Sequence, residues 1–73
     1  MKITFSDDAL GDGAAEMVLH KMIGTVVDLL QGDEVLVTGT IVKTSDMYVK
    51  IRKLTTGQVS SWAFDRFDEV RYC

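Results

Sequence analysis

Seventy-three residues, 47% of them apolar, suffice for one small domain with its own core and are too few for two. The single cysteine, Cys73, excludes an intrachain disulfide framework and a cysteine-built zinc site. A net charge of −3 argues against a binder of nucleic acid that relies on bulk charge alone. No signal-peptide pattern opens the chain, and its apolar runs fall far short of the roughly 20 residues needed to cross a bilayer. The expectation is a soluble cytoplasmic protein.

In chain order, Lys2-Ile-Thr-Phe-Ser6 alternates polar and apolar residues, which predicts a short edge strand or docking arm. Asp7-Asp8-Ala-Leu-Gly-Asp-Gly13 follows as an acidic loop, with Asp12 placed to cap a helix N-terminus. From Ala14 to Gln31 the apolar residues Ala15, Val18, Leu19, Met22, Ile23, Val26, Val27 and Leu30 form one stripe at helical spacing. This predicts a helix of about 18 residues, stopped by Gly32 as a C-cap. Gly24 and the β-branched Thr25-Val26-Val27 weaken its second half. The alternative reading ends the helix near Ile23 and makes Gly24–Leu30 a strand.

The remainder, 34–72, reads as a β-meander. Glu34–Lys43 is a long strand with Val35, Val37 and Ile41 on one face, Leu36 and Val42 on the other, and a bulge or bend at Gly39. Met47–Lys53 points Met47, Val49 and Ile51 to the core and Tyr48, Lys50 and Arg52 outward. Gln58–Phe64 alternates Val59 and Ala63 with Ser60, Trp62 and Phe64. A last strand, Asp68–Tyr72, brings Val70 and Tyr72 together. The fold class expected is α+β, with one N-terminal amphipathic helix (14–31) on a small antiparallel meander or partial barrel. The division is a single domain, 1–73, with 1–13 as strand or arm and acidic loop.

Charge is unevenly spread. Residues 1–34 hold two lysines against seven carboxylates, and residues 35–73 hold six cations against four. The plain reading is two ordinary solvated faces, and the functional reading is two faces for different partners.

No catalytic constellation emerges. His20, the only histidine, falls on the polar side of the helix, and Cys73 sits at the terminus. A hydrolase needs a nucleophile, a base and an orienting group together. The acids of the 7–12 loop lack the calcium-loop spacing, and Gly11-Asp-Gly13 lacks the lysine of a phosphate loop. No enzyme, no metal and no cofactor are expected. Tyr48, Arg52 and Trp62, with Lys50 nearby, combine rings and cations on the strands. Such residues stack bases in nucleic-acid binders and are also enriched at protein–protein hot spots. The expected partner contacts are therefore Asp7 and Asp8 in the loop, and Tyr48, Arg52 and Trp62 on the sheet.

The glycine-centred strand Val35-Leu-Val-Thr-Gly-Thr-Ile-Val42 after Gly32-Asp33, the hairpin close behind it and the count of five strands resemble an SH3-like meander. Across its full length, with its Met1-Lys-Ile-Thr-Phe-Ser-Asp-Asp8 start, the chain also resembles the small RNA-polymerase-binding transcription regulators of Xanthomonas lytic bacteriophages. That resemblance implies a non-enzymatic protein of the infected host cell, and a monomer is expected. It implies binding to the N-terminal region of the polymerase β′ subunit, inhibition of initiation by σ displacement, and antitermination with the elongation factor NusA. No motif fixes contact residues for it. An alternative is a nucleic-acid-binding SH3-like or OB-like module.

Overall fold

The computed structural model describes the backbone of residues 2–4 and 14–72 and the side chains of residues 16–72. Among the described residues one short helix, α1 (Ala14–His20), accompanies strands β1 (Lys2–Thr4), β2 (Val26–Gln31), β3 (Glu34–Thr44), β4 (Tyr48–Lys53), β5 (Val59–Ala63) and β6 (Glu69–Tyr72). The strands form one sheet in the order β1-β6-β2-β3-β4-β5, every pairing antiparallel. The fold is thus α+β. Its centre is a run of hairpins from β2 to β5, with β6 returning beside β2.

The helix expected over 14–31 is much shorter. It ends at His20, and Val26–Gln31 becomes β2, which lies between β6 and β3. Two causes act together. Past His20 the chain tightens into turns, with Met22 N–H donating to the Leu19 carbonyl at 3.0 Å, and Gly24 then adopts φ +93°, a left-handed conformation that turns the chain off the helical path without a side-chain penalty. Its N–H then donates to the Ile41 carbonyl at 2.8 Å, and Ile41 N–H donates to the Thr25 carbonyl at 3.1 Å, so from Gly24 onward the chain is paired with β3. The β-branched Thr25-Val26-Val27 suits that strand better than a helix. Gly32 is consequently no helix cap. With Asp33 it makes the two-residue loop between Gln31 and Glu34, and its φ of +61° at the first loop position fits a type II′ hairpin turn.

One buried cluster holds the fold together: Leu19 from α1, Val27 and Leu29, Val37 and Ile41, Val49 and Ile51, Phe64, Phe67 and Val70. Phe64 and Phe67 meet edge to face, with centroids 6.1 Å apart and planes at 79°. Tyr72 packs partly against this cluster, and Val70 is fully buried within it.

β3 departs from simple alternation twice. Its register slips against β2 between Leu29 and Leu30, and against β4 between Ile41 and Lys43. Each slip places an extra residue in β3, so Val35 turns to solvent, where it is half exposed, and Leu36 packs against the core. The expected grouping of Val35 with Val37 and Ile41 is therefore broken by the first bulge. Met47 also differs from expectation. It precedes the first residue of β4 and is 72% exposed.

Gly39 lies between the bulges and answers a different need. A Cβ built there would stand 2.1 Å from the Arg52 carbonyl oxygen and 2.7 Å from the Ile51 Cγ2 atom. The β4 backbone occupies the space that a side chain would take. Gly39→Ala is therefore expected to cost at least about 1–3 kcal/mol, the usual range for overpacking. Urea denaturation checks this, and an unchanged midpoint would show that the two strands can separate freely.

Candidate partner-binding face

The core dictates the opposite face. Val49 and Ile51 are fully buried, so alternation along β4 turns Tyr48, Lys50 and Arg52 away from the core. Register then selects their neighbours. One row crosses the sheet as Val26, Thr40, Arg52 and Val59, and a second as Lys43, Lys50 and Ser61. Tyr48 stands opposite Ala63 in a third. Val26 and Val59 are about half exposed, so the Arg52 row is bounded by apolar surface at both ends.

Lys43 reaches this face through the second bulge. In an unbroken strand it would share the side of Ile41 and point at the core. The slip between Ile41 and Lys43 moves it outward and sets it directly opposite Lys50. Lys50 Nζ lies 5.9 Å from the centroid of the Tyr48 ring, within cation–π range. Among the described residues the only ion pair joins Arg71 Nε to Glu69 Oε2 on β6, at the far side of the sheet. Lys43, Lys50 and Arg52 thus form a cationic face beside one ring, without a carboxylate within ion-pair distance among the described residues. Asp28 on β2 accepts a hydrogen bond from Thr38 Oγ1 at 2.5 Å.

Of the residues expected to contact a partner, Tyr48 and Arg52 are brought together here. Trp62 is not. It is the cross-strand partner of Val49, so it belongs to the core side. There it is half-buried against the cluster, and its Nε1–H donates to Ser60 Oγ at 2.8 Å. The same alternation that buries Phe64 carries Trp62 with it. Asp7, Asp8 and Cys73 lie outside the described residues. His20 is exposed, with Nδ1 3.2 Å from Thr44 Oγ1. Among the described residues no group of three His, Cys, Asp or Glu side chains is placed to hold a metal ion. No described helix is long and apolar enough to cross a membrane.

Lys43 is the residue that sequence reasoning missed, because nothing in Thr-Ile-Val-Lys marks the bulge. Comparison of the chain with family models, curated proteins and solved structures found no match. The chemistry of the face must therefore be read from the face itself. It offers cations, one ring and small hydroxyl and methyl groups, chemistry that can pair with a carboxylate or a phosphate.

Two ammonium groups on directly opposed residues repel each other. Lys43→Glu is accordingly expected to raise stability by about 0.2–1 kcal/mol in low salt. The gain should shrink as salt screens the pair. Urea denaturation at two ionic strengths measures it, and equal stability of the two proteins in low salt would show that the lysines do not interact.

Proposed function

We propose that this chain is a non-enzymatic bacteriophage transcription regulator that docks on host RNA polymerase. In this reading it engages the N-terminal region of the β′ subunit in the host cytoplasm. It inhibits σ-dependent initiation by displacing σ and acts as an antiterminator, with NusA as a second partner. The observation that carries the reading is the Lys43–Lys50–Arg52 face beside Tyr48, without an ion-pair partner among the described residues, on a chain whose net charge is negative. A local cation cluster on an acidic protein favours selective docking on a complementary surface over general attraction to polyanions. The resemblance of the whole chain to the phage regulators supplies the identity of the partner.

Size supports a docking role. The accessible surface is 4596 Å². A standard interface uses roughly 800 Å² from each partner, a large share of so small a protein. Such a chain acts on a multisubunit enzyme by covering or reshaping one of its surfaces. We read the fold itself as SH3-like, since β2 to β6 follow the order in which the last strand returns beside the first.

The alternative is a nucleic-acid-binding SH3-like or OB-like module, favoured by the Tyr48 ring among cations, which is the equipment of a base-stacking platform. A native-gel shift with purified host polymerase separates the two readings. The polymerase reading expects a discrete complex, weakened about ten-fold or more by combined Lys50→Glu and Arg52→Glu. Failure to shift the polymerase removes it. Binding of single-stranded oligonucleotides that falls steeply with added salt would transfer the face to nucleic acid.

A further inference from the structure

Among the described strands β5 ends the sheet, and its hydrogen bonding shows which of its groups β4 does not use. Lys53 N–H donates to the Gln58 carbonyl at 2.8 Å, and Phe64 N–H donates to the Met47 carbonyl at 3.1 Å. These two bonds bracket the ladder. In an antiparallel pair hydrogen-bonded and non-hydrogen-bonded residues alternate, so Ser60 and Trp62 bond to β4 while Val59, Ser61 and Ala63 do not. The Ala63 carbonyl accepts from Arg66 N–H at 3.0 Å. That leaves the N–H and C=O of Val59 and Ser61 and the N–H of Ala63 facing an edge that no described strand covers.

Edge strands usually carry charges, proline or bulges that discourage pairing. β5 is Val59-Ser-Ser-Trp-Ala63, with no charge and no proline, and its register against β4 is unbroken. Its outward side chains, Val59, Ser61 and Ala63, are all small and exposed. Side chains of a strand added beyond β5 would lie about 10 Å from β4, two strand spacings away. Because the intervening residues are small, Arg52 and Lys50 can extend across β5 to meet carboxylates on that strand. On the other side of the sheet the neighbours are Ser60 and the half-buried Trp62 ring, which suit apolar side chains.

We propose that the β5 edge captures an extended segment of the partner protein as an added strand, one that alternates acidic and apolar side chains. The main chain of Val59 and Ser61 supplies the pairing, Lys50 and Arg52 recognise the acids, and Trp62 meets the apolar side. This deepens the reading of the cationic face as a docking surface by naming the chemistry of what docks. A second copy of this chain fits less well. Antiparallel β5–β5 pairing would bring two sets of Lys50 and Arg52 onto the same face.

The test uses ¹⁵N-labelled protein and a probe peptide of about seven residues alternating valine and glutamate, slightly longer than the five-residue β5. A lysine-for-glutamate version serves as the control. Ser61→Pro is the decisive variant. It removes an N–H that β4 does not use, the position at which an edge strand tolerates proline, and it blocks the edge. The expected result is amide shifts centred on Val59, Ser61 and Ala63 with the glutamate peptide. Binding should be about ten-fold or more weaker for the lysine peptide and for Ser61→Pro, whose unchanged core methyl spectrum reports an intact fold. Three results overturn the proposal: no binding of the glutamate peptide at millimolar concentration, equal binding of both peptides, or equal binding by Ser61→Pro. A concentration-dependent dimer abolished by Ser61→Pro, without peptide binding, assigns the edge to a second copy instead. A polymerase complex that forms equally with Ser61→Pro overturns the added strand and leaves the polymerase reading standing. Peptide capture without any polymerase complex does the reverse.

Discussion

The fold depends on one close approach. The carbonyl of Arg52 occupies the place where residue 39 would carry a Cβ, and only glycine permits it. That approach presses β4 against β3 and sets Ile51 beside Ile41 in the buried cluster. Once Ile51 is buried, Lys50 and Arg52 have no choice of face. A requirement of packing on one side of the sheet thus determines the chemistry presented on the other.

The two bulges in β3 extend the same logic. Each adds a residue and reverses the alternation beyond it. The first turns Val35 outward, and the second brings Lys43 opposite Lys50. Direct opposition of two lysines works against stability, and the sheet tolerates it. Such a local conflict between folding and side-chain choice is where a functional demand is to be looked for. The uncharged β5 edge beside it breaks a second local rule, the protection of open strands.

Much of this was legible in the chain. The β4 alternation followed directly from Val49 and Ile51, and so did the outward placement of Tyr48 and Arg52. The stretch 26–31 was ambiguous because Val26, Val27 and Leu30 satisfy helical spacing. In the fold the same residues form a strand hydrogen-bonded on both sides, and pairing with β3 and β6 outweighs the stripe. Gly24 and the β-branched run carried the contrary signal. Trp62 was misplaced for a different reason. Its residue type suits an interface, but its side of the sheet follows from register with Val49, which composition does not encode. Bulges left no mark in Val-Leu-Val or Ile-Val-Lys, so Lys43 was invisible as a site residue.

The central claim is that the outward face of β4 and the adjoining β5 edge engage the partner together. Amide hydrogen exchange of the chain, alone and mixed with host RNA polymerase, addresses it directly. The account predicts slowed exchange on complex formation at Val59, Ser61 and Ala63, whose N–H groups no described strand covers in the free protein. Protection confined to α1, or a complex that leaves the β5 amides exchanging as before, would contradict it.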